Sequence, residues 1–146
     1  MYARLFLFSG LYALPARSEL REVITMKREN NMKVIIAGSR DIAEMNVEEA
    51  MTASGFKGSI AEVVSGGGSS ASTSGEEWGR ASRLPVKVFA ADWARFGKTA
   101  DVKRNEQMAE YADALVLIWN GKSTGIRSLQ QTAERHGLKV YVHKVA

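Results

Sequence analysis

Short runs of apolar residues recur from residue 32 onward, and each is of strand length. Many members are β-branched, and turn residues bound most of the runs, which is typical of strands buried on both faces of a sheet. We therefore predict five strands, Lys33–Ala37, Ile60–Val64, Val86–Phe89, Ala114–Trp119 and Leu138–Val142.

Segments with helical spacing separate these runs. The predicted helices are Val47–Ser54, about Thr73–Ser82, Val102–Tyr111 and Ile126–His136. Asn46 and Asp101 are candidate N-caps, because their side chains can accept hydrogen bonds from free amides of the first turn. Gly55 and Gly137 are expected to end the helices that they follow. Residues 91–101 are expected to form a longer loop.

The alternation of strands and helices predicts an α/β fold. Its strands should be parallel, because each strand returns through a crossover helix before the next one pairs. The handedness of such crossovers favours a five-stranded sheet of order 3-2-1-4-5 with helices on both faces. We expect residues 32–146 to form one Rossmann-like domain.

Residues 1–31 do not continue this pattern. The apolar run Leu5–Leu14 is too short to span a bilayer. Pro15–Ser18 is a poor cleavage site for a signal peptide. Met26–Met32 corresponds mostly to purine-rich codons, as a translated ribosome-binding site before a start at Met32 would. We expect residues 1–31 to be a mis-assigned start or a disordered extension.

Composition limits the chemistry that the chain can perform. Apolar residues make up 45% of it and charged residues 25%, as in ordinary globular domains. The chain has no cysteine, which excludes a disulfide and a thiolate metal site. Both histidines, His136 and His143, lie near the C-terminus, so we expect no histidine zinc site.

Half of the net charge of +4 lies in the first 31 residues. Residues 1–31 contain five Lys/Arg against three Asp/Glu, and residues 32–146 contain fifteen against thirteen. A nearly balanced domain is not typical of a nucleic-acid coat protein. The local cluster of Arg95, Lys98, Lys103 and Arg104 is more informative than the total.

Glycine, hydroxyl and basic residues follow the predicted strands. Gly38–Arg40 follows the first strand, Ser65–Gly68 the second and Gly121–Gly125 the fourth, while Arg104 and Asn105 lie in the first turn after the long loop. In an open parallel sheet, ligands bind beyond the carboxyl ends of the strands, where the strand order reverses. Glycines and helix N-termini suit phosphate there.

Each of these features also has a simpler explanation. A glycine after a strand commonly makes only a tight turn, and the Ser/Gly stretch after the second strand can be a flexible connection. Arg104 and Lys122 can be solvated surface charges. Trp78 and Trp119 fit the core better than a ligand platform, whereas Trp93 fits either. The convergence of several candidate anion-binding turns on one sheet edge favours a binding site.

Seven short motifs occur in a recognisable order over residues 32–146. They are Met32–Asp41, Val64–Gly67, Gly75–Trp78, Ala91–Trp93, Arg104–Ala109, Ala112–Leu115 and Gly121–Ser123. This series resembles the YspA branch of the SLOG superfamily, which is often found in phages and bacteria. The superfamily also contains the LOG phosphoribohydrolases and the DNA-processing protein A.

The resemblance implies a Rossmann-like fold that binds nucleotides or nucleotide-derived ligands. By that pattern, Gly66 and Gly67 would lie under a phosphate, Glu76 would be the acidic catalytic group and Arg104 the accompanying arginine. The candidate ligand-binding residues are Gly38, Ser39, Arg40, Ser65, Gly66, Gly67, Gly68, Thr73, Trp93, Asn105, Gly121, Lys122, Ser123 and Gly125.

The chain departs from the family in its glycine-rich loop. The usual loop is Ser-Gly-Gly-Ala-Arg-Gly-Val-Asp-Thr, whereas here the arginine has become Ser69, the third glycine Ser70 and the aspartate Ser72. Losing one charged donor weakens anion binding by about 1.5–3 kcal/mol. The altered loop therefore favours binding over catalysis, and we expect the fold to survive these loop changes.

Three functions follow from the sequence, in order of preference. The first is a binding or sensor domain for a nucleotide-like small molecule. The second is a LOG-like hydrolase that cleaves the N-glycosidic bond of a nucleoside monophosphate. The third is a binder of single-stranded DNA, with Trp93 as a stacking platform. We expect a cytoplasmic protein with no cofactor, no metal of its own and no membrane partner, and the resemblance implies a homodimer, since LOG relatives are commonly dimers.

Overall fold

The fold is described from a computed structural model of the chain. The described residues are 16–18, 31–39, 42, 44–67, 70–121 and 126–145. Most of residues 1–31, which we expect to be a mis-assigned start or an extension, therefore lies outside the described residues.

The described part of the domain contains five strands and five α-helices. They are β1 (Met32–Gly38), α1 (Glu44–Ser54), β2 (Ile60–Ser65), α2 (Ser70–Ala81), β3 (Val86–Val88), α3 (Trp93–Phe96), α4 (Ala100–Tyr111), β4 (Ala114–Trp119), α5 (Ile126–Arg135) and β5 (Lys139–Lys144). Two 3-10 turns, Lys57–Ser59 and Gly97–Thr99, precede β2 and α4.

The sheet has the order β3-β2-β1-β4-β5, and every neighbouring pair is parallel. The predicted α/β class and strand order are thus confirmed. Strand β1 lies at the centre, paired with β2 on one side and with β4 on the other. Because the chain moves outward from β1 to β3 and then restarts at β4, the strand order reverses at the carboxyl end of β1.

Alternate residues of the central strands enter two separate cores, as the period of two in a strand requires. Val34 and Ile36 of β1 pack on the face covered by α1 and α2. Ile35 and Ala37 pack on the face covered by α4 and α5. All of β4 except Trp119 is buried, which explains its continuous apolar sequence.

Two glycines bring α2 close to the sheet. A Cβ atom at Gly75 would lie 2.8 Å from Cγ2 of Ile36, and one at Gly79 would lie 2.9 Å from Cγ2 of Val86. Contacts this short leave no room for a side chain. Helix α2 therefore packs directly against β1 and β3.

Three helix starts differ from the predicted ones. Helix α1 begins at Glu44 and α4 at Ala100, so Asn46 and Asp101 lie inside helices and are not N-caps. Helix α2 begins at Ser70, three residues before the predicted Thr73. The predictions relied on apolar periodicity, which is weak in the first turn, and serine competes with helix formation through its own hydrogen bonds.

The predicted loop at residues 91–101 is also wrong in part. It contains helix α3, a 3-10 turn and the start of α4. Asp92 caps α3, because its carboxylate accepts a hydrogen bond from the Arg95 amide at 3.1 Å. A four-residue helix is barely one turn long, so its apolar periodicity cannot be recognised in the sequence.

Among the described residues, no helix has both the length and the apolar composition needed to cross a membrane.

Candidate functional site

A cavity of about 340 Å³ lies at the carboxyl ends of β1 and β2, next to the point where the strand order reverses. This volume is at the lower end of the range of about 300–1,000 Å³ that is usual for small-molecule sites. The described residues that line it are Ala37, Gly38, Gly66, Gly67, Ser72, Trp93, Arg104, Asn105, Met108, Ile126 and Leu129. Five of them, Gly38, Gly66, Gly67, Trp93 and Asn105, are predicted ligand-binding residues, and Arg104 is the predicted catalytic arginine.

The loop after β2 forms the floor of this cavity. The fully buried Ser65 hydroxyl accepts a hydrogen bond from the Gly67 amide at 3.1 Å and donates one to Oε2 of Glu76 at 2.8 Å. Gly67 has a φ of +68°, in the left-handed region where a side chain is strained. Ser65 therefore shapes the loop from below, while the backbone of Gly66 and Gly67 faces the cavity.

Arg104 supplies the positive charge of the site. Its Nη1 donates a hydrogen bond to the Gly66 carbonyl at 3.1 Å. A Cβ atom at Gly66 would lie 3.2 Å from both Cδ and Nε of Arg104, so glycine there makes room for the arginine. Burial lowers the pKa of Arg104, and the charge of Asp101 opposes that change. A guanidinium starts from so high a pKa that it stays charged at neutral pH.

The start of helix α2 gives the cavity a second favourable feature for an anion. Ser72, in the first turn of α2, is buried and lines the cavity. The first amides of a helix have no partner within the helix and carry partial positive charge. The first turn of α2 contains no acidic residue that would compete for these amides.

The wall opposite the glycine loop is apolar, with one polar group and one exposed aromatic ring. Met108, Ile126 and Leu129 of α4 and α5 form its apolar part. Asn105 is buried, and its Oδ1 accepts a long hydrogen bond of 3.4 Å from Nε of Arg104. Trp93 remains 59% exposed, so a face of its ring is available to a planar partner.

Glu76 does not line the cavity. Its Oε2 accepts from Ser65, and its Oε1 pairs with Arg80 at 3.4 Å. Helix α2 begins at Ser70, so Glu76 is its seventh residue and lies beyond the first turn. The carboxylate thus supports the glycine loop through Ser65, and its predicted catalytic role stays a prediction.

Gly38 and Ser39 hold the ends of β1 and β4 together. A Cβ atom at Gly38 would lie 2.1 Å from the Ile118 carbonyl oxygen, so only glycine fits there. Ser39 is buried, donates its amide to Ile118 at 2.9 Å and accepts from the Asn120 amide at 3.1 Å. Gly38 also lines the cavity, whereas Ser39 supports its rim.

Two further predicted residues lie apart from the cavity. Thr73 is on an exposed surface of α2, and Gly121 is exposed near Lys144. Five other predicted ligand-binding residues lie outside the described residues. They are Arg40, Gly68, Lys122, Ser123 and Gly125.

Sequence reasoning missed five residues that line the cavity, and most of them are apolar. Met108 lies one turn after Arg104 and Leu129 one turn after Ile126, so helical spacing alone could have placed each pair on one surface. Ala37 and Ser72 carry no such signal, because a small residue in a strand or helix is usually part of the packing.

Comparisons of this chain with protein-family models, with curated proteins and with solved structures find no match. Among the described residues, no group of three or more histidine, cysteine, aspartate or glutamate side chains is arranged to hold a metal ion. Any function must therefore be argued from the cavity itself.

Proposed function

We propose that this domain binds a nucleotide or a nucleotide-derived small molecule in the cavity at the carboxyl ends of β1 and β2, as a binding or sensor domain. The observation that carries the proposal is the placement of Arg104 directly against the Gly66 backbone, in the cavity that Gly67 also lines. A half-buried guanidinium beside an open glycine backbone suits a phosphate, which needs both charge and close approach.

The start of α2 supports the same phosphate position. Gly67, Ser72 and Arg104 line one cavity, so the phosphate can contact backbone amides and the guanidinium together. Glu76 lies behind Ser65 rather than on the cavity wall. Its negative charge is therefore separated from the phosphate by the buried hydroxyl of Ser65.

Trp93 suits the base of the nucleotide. Its exposed ring borders the cavity, and the stacking of one base on an aromatic side chain is worth about 1–3 kcal/mol. The apolar wall of Met108 and Leu129 suits a ribose or a base edge. The side-chain amide of Asn105 adds one directional polar group.

Binding fits this arrangement better than hydrolysis of the glycosidic bond does. A catalytic carboxylate must reach the reacting atoms, whereas both oxygens of Glu76 already bond to Ser65 and Arg80. We therefore expect no release of free base from nucleoside monophosphates. Base release that is abolished in Glu76→Gln would instead establish the hydrolase.

The proposal is tested by thermal unfolding of the full chain with a panel of nucleoside monophosphates. A ligand that binds only the folded protein raises Tm. We expect at least one nucleotide to raise it, and Arg104→Met to weaken that binding about 10- to 100-fold, because the variant keeps an unbranched apolar stem and loses the charged donor.

A control variant and a competing ligand class complete the test. Arg127→Met removes the same charge from an exposed residue of α5 that does not line the cavity, and it should bind as the wild type does. A panel without any shift from a folded protein contradicts the proposal. A shift produced only by an oligonucleotide, with a steep salt dependence, would instead indicate single-stranded DNA.

A further inference from the structure

A second cavity of about 220 Å³ adjoins the candidate site. The described residues that line it are Ala90, Asp92, Arg95, Phe96, Ala100, Lys103, Arg104 and Gln107. Arg104 lines both cavities, so the two adjoin at this residue. A ligand that contacts Arg104 in the first cavity is therefore next to the second.

Three of the residues around this second cavity are cations. Among the described residues, Arg95, Lys103 and Arg104 form no ion pair with any carboxylate. The carboxylate of Asp92 is the only acidic group on the wall, and one of its oxygens accepts from the Arg95 amide as the cap of α3. The cavity thus has an excess of positive charge.

Phe96 holds two of these cations in place. Lys103 Nζ lies 5.1 Å from the centre of the Phe96 ring, and the Arg95 guanidinium carbon lies 4.9 Å from it. Cation–π contacts fix the positions of charged side chains without neutralising their charge. Bringing like charges together costs energy, and a bound anion removes that cost.

Nη2 of Arg104 is available to such an anion. Its Nη1 is bonded to the Gly66 carbonyl and its Nε to Asn105, whereas Nη2 has no acceptor among the described residues. One guanidinium can bridge two neighbouring phosphoryl groups, since its five N–H donors point in different directions.

We propose that the second cavity is a subsite for a second phosphoryl group, so that the ligand class is a nucleotide with a diphosphate rather than a monophosphate. This inference rests on the proposed function, because the first phosphate occupies the Gly66–Gly67 loop. Arg104 lies between the two phosphoryl groups, with Lys103 and Arg95 around the outer one.

The test compares the affinities of nucleoside mono- and diphosphates for the full chain by calorimetry, without divalent cations. All four ribonucleosides are used, together with phosphate and pyrophosphate, so the result does not depend on the base. We expect the preferred diphosphate to bind about tenfold more tightly than its monophosphate, as one added charge-assisted contact predicts. Lys103→Gln and Arg95→Gln should remove this preference and change monophosphate affinity less than about twofold.

Lys98→Gln is the matched control. It removes the same charge from an exposed residue of the neighbouring 3-10 turn that does not line either cavity. Equal affinities for mono- and diphosphates, or a preference that survives in both cavity variants, would overturn the inference. If monophosphates bind and Arg104→Met weakens them, only the second subsite is wrong. If no nucleotide binds, both the second subsite and the proposed function are wrong.

Discussion

Arg104 combines charge, burial and a fixed position, and the glycine at position 66 makes this combination possible. The guanidinium rests on the Gly66 backbone, where a Cβ atom would meet it at 3.2 Å. This contact explains why a basic side chain and a glycine that are 38 positions apart in the sequence act as one unit.

Gly66→Ala should therefore weaken nucleotide binding while leaving the fold intact. The added methyl group pushes the arginine away from the Gly66 carbonyl, and a flexible side chain can move without disturbing the core. We expect an affinity loss of about tenfold and a nearly unchanged Tm without ligand, both measured by thermal unfolding. Gly58→Ala is the control, because a Cβ atom there meets nothing within 4 Å. Equal binding by the two variants would contradict this account.

Arg83 is a residue whose backbone conformation is unfavourable for its type. It has a φ of +60° and ends α2, with its amide bonded to the Arg80 carbonyl and the Leu84 amide to the Gly79 carbonyl. This is the helix ending that glycine normally provides. Arg83→Gly should raise the free energy of unfolding by about 1 kcal/mol, measured with urea. A decrease in the free energy of unfolding would show that the Arg83 side chain stabilises the fold by more than its backbone strain destabilises it.

At the scale of elements, the close approach of α2 to the sheet depends on glycines that a helix would otherwise avoid. Alanine in place of glycine normally stabilises a helix by about 1 kcal/mol. At Gly75 the added Cβ atom would lie 2.8 Å from the fully buried Ile36. For Gly75→Ala, helix propensity thus predicts a higher free energy of unfolding, whereas packing predicts a lower one.

We expect packing to dominate in Gly75→Ala. Overpacking costs about 1–3 kcal/mol, so the free energy of unfolding in urea should fall despite the better helix former. Glu77→Ala, on the exposed surface of the same helix, should change it by less than about 0.5 kcal/mol. An increase in stability for Gly75→Ala would mean that α2 can move away from β1 without cost.

Helices α4 and α5 are joined by a charged cluster, and we expect it to make stability depend on pH. Glu106 of α4 pairs with His136 at 2.6 Å and with Arg135 of α5. These partners, chiefly the hydrogen bond from His136, lower the pKa of Glu106 below its ordinary value of 4.5. A carboxylate with a lowered pKa stabilises the fold above its unfolded-state pKa, and this contribution is lost as pH falls through that value toward the folded-state one.

Glu106→Gln should therefore reduce the loss of stability on acidification. Urea unfolding at several pH values between about 6 and 3 measures the slope, which should be smaller in Glu106→Gln than in the wild type. Glu110→Gln is the control, since Glu110 is exposed on the same helix and forms no ion pair with another described residue. Identical slopes in all three proteins would contradict the assigned role of Glu106.

At the scale of the whole molecule, the sequence predicts the strands and their order better than the helix ends. Strand β4 is predicted to the residue, because a fully buried apolar run has sharp limits. The starts of α1, α2 and α4 were placed two or three residues late, since the first turn of a helix adds little to the apolar periodicity on which the predictions relied. Short α3 was missed because its cap, Asp92, is the only local signal.

The candidate site was predictable where it depends on backbone and charge. Gly38, Gly66 and Gly67 follow from their positions after strands and from the strand order, and Arg104 follows from its position after the long basic segment. What the sequence does not reveal is which side a hydroxyl or carboxylate faces. Ser65 was expected to contact the ligand, whereas its hydroxyl is used by Gly67 and Glu76 beneath the loop. Such roles depend on packing between distant segments.

The central claim is that a nucleotide lies where the strand order reverses, against the glycine loop and Arg104. Two-dimensional ¹⁵N–¹H spectra of the full chain, titrated with the nucleotide that raises Tm most, test it directly. We predict saturable shifts concentrated at the Gly66, Gly67 and Ser72 amides and at the Trp93 indole N–H. Shifts confined to the opposite end of the sheet, around Lys33 and Lys139, or no shifts at all, would contradict the account.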